Sequence, residues 1–199
     1  MTENQIATII VDASLKIHRA LGPGLLVSMA VLRCIFFRFG CFMQFIKESF
    51  VRATPERVFT FHEKPEALRL LMPPWETARI IAQAKISELG SRTIIEARLL
   101  GPFTVRWIAE HTAYDPPRMF EDVQIAGPFR HWRHRHIFEP RADGALLRDQ
   151  IDYEPPLGFF GRLAVPVVIE PRLRRLFDYR HRITVQWCEK DKEQTNVVY

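Results

Sequence analysis

The chain has 199 residues, is 47% hydrophobic and 12% aromatic, and carries 15 Phe, enough to bury one sizeable core. Its three cysteines, Cys34, Cys41 and Cys188, cannot all pair and show no metal-ligand spacing, which points away from a disulfide framework and toward a reducing, cytoplasmic setting. A net charge of +5 raises the question of nucleic acid, to be settled by where the charges fall.

Residues 4–26 read as a helix, with Ile6, Ile9, Ile10, Ala13, Ile17 and Leu21 at three- and four-residue spacings and Gly22-Pro23-Gly24 as the stop. The apolar run 25–42 that follows is interrupted by Arg33 and Arg38, a costly pair inside lipid, so a docked or disordered segment is expected there rather than a span. From Met43 the character changes. Residues 44–51 alternate as a strand, and Thr54-Pro55-Glu56 opens a helix with an N-cap followed by proline. A second short helix over 65–71 ends at Pro73-Pro74. Six further strands are expected at 77–85, 93–100, 103–114, 120–126, 130–139 and 145–153, separated by Gly, Pro and Asp turns. A long helical run from Leu157-Gly158 to about Thr184 follows, with Phe159, Leu163, Val167, Leu173, Leu176 and Phe177 on one face and arginines on the other. Residues 188–199 read as a polar tail.

This order predicts an α+β fold. A curved antiparallel sheet of about seven strands holds a long C-terminal helix, and two short helices follow the first strand. Such a sheet leaves a cavity on its concave side. Alternate side chains share a strand face, so Trp132, His134, His136 and Phe138 point one way, with Asp122 and Gln124 on the strand before and Asp149, Ile151 and Tyr153 on the strand after. Aromatics mixed with hydrogen-bonding groups suit a small-molecule site.

Residues 43–187 resemble the START-like, SRPBCC helix-grip superfamily. The resemblance rests on Ser49-Phe50-Val51 with Thr54-Pro55-Glu56-Arg57-Val58-Phe59 and His62. It continues through Phe120, Asp122, Gln124, Gly127-Pro128-Phe129, Trp132, His134, His136 and Phe138, and then through Leu147, Asp149, Tyr153, Pro156 and Gly158. It implies binding of a hydrophobic or amphipathic small molecule, with no cofactor and no settled reaction. Residues 4–26 are similar to the opening helix of the GxxExxY proteins, but Val27 and Ala30 stand where that family has its Glu and Tyr, so no function carries over. The leader at 1–42 is read as a fusion remnant.

Phe50, Trp107, Trp132, Phe138, Ile151 and Tyr153 are the expected lining; Asp122, Gln124, His134, His136 and Asp149 are the expected polar contacts. His134, Asp149 and Tyr153 are the catalytic candidates if the domain is instead a cyclase or dehydratase. A third class is a protein-interaction module linked to cell division or the envelope. His134 and His136 with Asp122 or Asp149 have the donor types of a metal site, but no third histidine is placed to finish a shell, so no metal is expected. Arg106 is retained as a possible anchor for a ligand carboxylate. Arg133 and Arg135 alternate with the inward aromatics and therefore face solvent, which argues against nucleic acid; the arginine face of the last helix allows peripheral membrane contact.

Overall fold

Alternating apolar and polar residues between turn signals fold into seven strands: Met43–Val51 (β1), Ala78–Ala82 (β2), Arg92–Leu100 (β3), Phe103–Asp115 (β4), Met119–Ala126 (β5), His131–Arg141 (β6) and Gly144–Glu154 (β7). They form one antiparallel sheet in the order β1-β7-β6-β5-β4-β3-β2. The computed structural model describes residues 42–100 and 103–195, so the expected leader helix and its GxxExxY-like stretch lie outside the described residues.

Two short helices follow β1. The first, Pro55–Glu63 (α1), starts as its sequence demands: the Thr54 hydroxyl accepts from the Arg57 amide at 3.4 Å, and proline occupies the first turn. The second is Ala67–Leu70 (α2). After β7 the chain forms Gly158–Ala164 (α3), a π-helical turn at Val165–Ile169 and a 26-residue helix, Glu170–Thr195 (α4).

The π-helical turn changes which residues face the core. Leu163 and Val167, expected on the buried face, are 44% and 55% exposed, while Val165 is buried. An extra residue in one turn rotates everything before it relative to α4. In α4 the buried stripe is Leu173, Phe177, His181, Thr184 and Cys188, at spacings of three and four. The helix also runs past the expected end. Cys188 is fully buried, its carbonyl accepts from Arg57 Nε at 2.8 Å, and Glu189 accepts from the Arg52 amide at 2.8 Å. The polar tail read from 188 onward is therefore corrected: as far as Thr195 it is the end of the gripped helix.

Two apolar clusters make the core. One gathers Val51, Val58, Phe59, Phe61, Phe120, Phe138, Leu147 and Cys188 under α1. The other gathers Phe45, Trp132, Ile151, Tyr153, Val165, Leu173 and Phe177 under the start of α4. Between them the concave face is polar.

Candidate functional site

Strand register builds the polar zone. Tyr114, Phe120, His136, Asp149 and Lys47 form one row across β4-β5-β6-β7-β1, and His111, Asp122, His134, Ile151 and Phe45 form the next. Helix α4 contributes His181, one turn beyond Phe177, and α1 contributes His62. Five of the seven histidines and two aspartates thus form a belt between the two apolar clusters.

Asp149 is the hub. Its Oδ1 accepts from His134 Nε2 at 2.8 Å and its Oδ2 from His181 Nε2 at 2.7 Å; the other nitrogen of His181 lies 2.8 Å from Ser49 Oγ. His136 Nδ1 is also 2.8 Å from Asp149 Oδ1, but out of line for a hydrogen bond, so that contact is electrostatic. Asp122 Oδ2 faces the opposite side of the two imidazoles, 3.7 Å from His134 Nδ1 and 3.4 Å from His136 Nε2. His136 stacks on Phe120 at 4.0 Å between ring centroids. His62 Nδ1 donates to the Val58 carbonyl, 2.8 Å away, and its ring is 5.9 Å from that of His136.

Burial alone would neutralise these groups; their mutual charges decide otherwise. On His136, burial is outweighed by Asp149 and Asp122, which hold the imidazole up at about 9. Burial and then the His136 charge push His134 down, and the same pair takes His62 to about 4. Burial would raise both aspartates, yet the surrounding imidazoles hold Asp122 below its ordinary value and Asp149 well below. Arg180 adds a second cation: its Nε donates to the Leu71 carbonyl at 3.3 Å, and its guanidinium lies 5.2 Å from the Phe177 ring centre.

The expected site residues divide by position. His134, His136, Asp122 and Asp149 come together. Trp132, Phe138, Ile151 and Tyr153 are buried in the two clusters against other side chains. Tyr153 makes no hydrogen bond to His134 or Asp149; burial and then Glu170 push its phenol up to about 12. Trp107 packs edge-on to Trp132 at 5.0 Å and stays half-buried. Gln124 braces its own turn, donating to the Phe129 carbonyl at 2.7 Å.

Two expectations are corrected. Phe50 is 46% exposed on the convex face, because β1 pairs Ser49 with Leu147 and Val51 with Ala145, which sends the odd-numbered residues inward. Arg106 is also outward, donating to Glu96 at 3.0 Å. No third histidine joins that pair as a donor, the group being Asp122, His134 and His136, but two further histidines enter the belt. His181 and His111 come from α4 and β4, parts of the chain that local spacing cannot connect to residues 134–136. Trp75 lies against α4, beneath the Arg175 guanidinium at 4.3 Å and beside Tyr179 at 5.2 Å.

His181 was legible in one respect. It falls four residues after Phe177, on the apolar stripe of α4, where a histidine must find a buried partner. His111 shares strand parity with Trp107, but a bulge between His111 and Ala113 also turns Tyr114 toward α1, where its ring meets Phe59 at 5.6 Å.

A single antiparallel sheet closed on a C-terminal helix, with its ionisable groups on the concave side, defines a helix-grip domain of the START-like class. The family model for polyketide cyclase / dehydrase and lipid transport matches residues 51–177, and the chain belongs to that family. No curated protein matches it. Among solved structures it is similar to the major latex-like protein 151 of Panax ginseng, at 12% identity and TM-score 0.57 over 75% of this chain and 99% of that one. A Thermus thermophilus protein aligns at 19% identity and TM-score 0.55, over 72% of this chain and 95% of that one. A nucleoside-diphosphate sugar epimerase of Corynebacterium glutamicum aligns at 23% identity and TM-score 0.54, over 71% of this chain but 28% of that one. At these identities the likeness concerns the fold. No helix among the described residues is long and apolar enough to cross a membrane.

Proposed function

We propose that the domain binds an amphipathic small molecule of lipid-like or polyketide-like character, without turning it over. The observation that carries this reading is the uneven cover of the concave face. Over β1, β7 and β6 the face is buried beneath α4, whereas over β3 to β5 Ile95, Ala97, Trp107 and Asp122 keep accessible area. An apolar strip thus leads to a polar end, where Asp122 and His136 retain 15% and 13% of their side-chain area. A ligand with an apolar body and a hydrogen-bonding head matches that gradient. The description of the family, which joins polyketide cyclases with lipid transport, supports the same chemical class.

Binding is favoured over acid–base chemistry because the expected third member of the catalytic group, Tyr153, belongs to the apolar cluster and not to the belt. Native mass spectrometry of the full chain purified without detergent tests the reading. A retained mass that organic extraction releases as an apolar compound is expected, and Trp107→Ala should reduce its occupancy several-fold. Ligand-free protein that also fails to enhance the fluorescence of 1-anilinonaphthalene-8-sulfonate would contradict it.

A further inference from the structure

We propose that Asp122, His134 and His136 form a binding site for one divalent transition-metal ion, with Asp149 as the carboxylate that positions the His134 imidazole. The inference stands on the geometry of the belt and does not depend on whether an organic ligand enters.

The three residues each offer a donor atom, and these lie within 4.8 Å of one another. The Asp122 oxygen is 3.4 Å from His136 Nε2 and 3.7 Å from His134 Nδ1. Both distances are long for hydrogen bonds. They are close to the edge of a tetrahedron around zinc, about 3.3 Å when metal–ligand bonds are about 2.0–2.1 Å. Proton placement sharpens the point. Asp149 as a carboxylate can only accept, so His134 donates to it from Nε2 at 2.8 Å. In the neutral imidazole this leaves a lone pair on Nδ1, directed at the oxygen of a second carboxylate. Two lone pairs facing each other in a buried site repel, and a cation between them removes the repulsion. Asp149 meanwhile holds the outer nitrogen of His134 by a hydrogen bond, the arrangement that fixes tautomer and ring orientation in histidine-ligated metal sites, and faces the outer nitrogen of His136 at 2.8 Å.

A second observation points the same way. His111 stands across from Asp122 in the sheet, is 7% exposed, and its Nδ1 has no partner among the described residues. A buried polar nitrogen left unpaired is costly, and an ion, or water held by an ion, is the kind of group that satisfies it. Two imidazoles and a carboxylate suit zinc or ferrous iron rather than calcium or magnesium. The residual exposure of Asp122 and His136 gives the ion a way in from the half-open side over β3 to β5.

The test uses the full chain, free of any affinity tag and stripped with EDTA. Titration with zinc chloride against a chromophoric chelator should show saturable uptake of one ion per chain. Asp122→Asn, which keeps shape and removes charge, should weaken uptake at least ten-fold while the melting curve stays cooperative. Absence of one-to-one uptake, or a change smaller than ten-fold in a folded Asp122→Asn protein, would overturn the proposal. If that variant does not fold, cobalt(II) added to the unaltered chain decides. The visible bands of tetrahedral nitrogen and oxygen ligation support the site. Their absence, or a thiolate charge-transfer band implicating the cysteines, overturns it.

Discussion

His181 on α4 and Asp149 on β7 meet at 2.7 Å across the interface between helix and sheet, and this hydrogen bond fastens the gripped helix to the polar belt. Since ionised Asp149 accepts, His181 Nε2 donates; Nδ1 is then free to accept from the Ser49 hydroxyl. Removing the imidazole leaves a buried carboxylate short of one partner. His181→Ala should therefore cost about 2–3 kcal/mol, the range for a hydrogen bond to a buried charge, measured from urea denaturation. A loss below about 0.5 kcal/mol would show that water replaces the imidazole without penalty.

Tyr153 gives the opposite expectation. It is 1% exposed, and its hydroxyl bonds to neither Asp149 nor His134. Tyr153→Phe keeps the ring contacts with Phe129 and Trp132 and removes only the hydroxyl. Stability should change by less than about 1 kcal/mol and retention of a bound ligand should be unaffected. A large loss of retention would return the phenol to the binding machinery.

The belt also sets how stability depends on pH. In EDTA, with no ion bound, His136 is held up at about 9 and His62 down at about 4, each against an ordinary value of 6.5. The raised group stabilises the fold fully below pH 6.5 and loses that contribution as pH climbs through 9. The lowered group acts in the other direction: between pH 6.5 and 4 the unfolded chain takes up a proton that the folded one refuses, so stability falls as acid is added. Each limb is on the order of 3 kcal/mol. The urea midpoint should peak near pH 6.5. His136→Gln should flatten the alkaline side and shrink the acid side only in part, since burial rather than the His136 charge is the larger cause of the lowered His62; a slope that survives on the alkaline side assigns it elsewhere.

Strand parity tells how far the site could be read from the chain. In β6 the alternation of Trp132, His134, His136 and Phe138 with Arg133 and Arg135 is unambiguous, because charge marks the outer face; both arginines bond to Asp152 there, at 2.8 and 3.2 Å. In β1 both faces are apolar, Phe45 and Val51 on one and Ile46 and Phe50 on the other, so the pattern alone cannot choose, and pairing with β7 decides. The helical residues were harder still. Leu163 and Val167 leave the core because a π-helical turn rotates them away from the stripe that carries Phe177 and His181, a local geometry with no clear sequence signature.

That choice of face has a measurable consequence. Phe59 is 2% exposed and touches Tyr114, Phe120 and Phe138, whereas Phe50 is 46% exposed. Phe59→Ala should cost about 3–5 kcal/mol and Phe50→Ala less than about 1 kcal/mol. Comparable losses in thermal melts would mean that Phe50 is covered by something outside the described residues.

Gly144, at the start of β7, tests the close approach between the hairpin and the end of β1. A methyl group there would lie 2.1 Å from the Val51 carbonyl oxygen and 3.1 Å from the Phe50 ring. The nearer obstacle is backbone, which cannot rotate away as a side chain can. Gly144→Ala should therefore destabilise by about 1–3 kcal/mol, the usual cost of overpacking. The second obstacle provides the discriminating measurement. If the carbonyl is what resists, adding Phe50→Ala leaves the loss unchanged and the two effects add. If the double variant recovers most of the stability, the aromatic ring was the obstacle and β1 can shift to admit the methyl group.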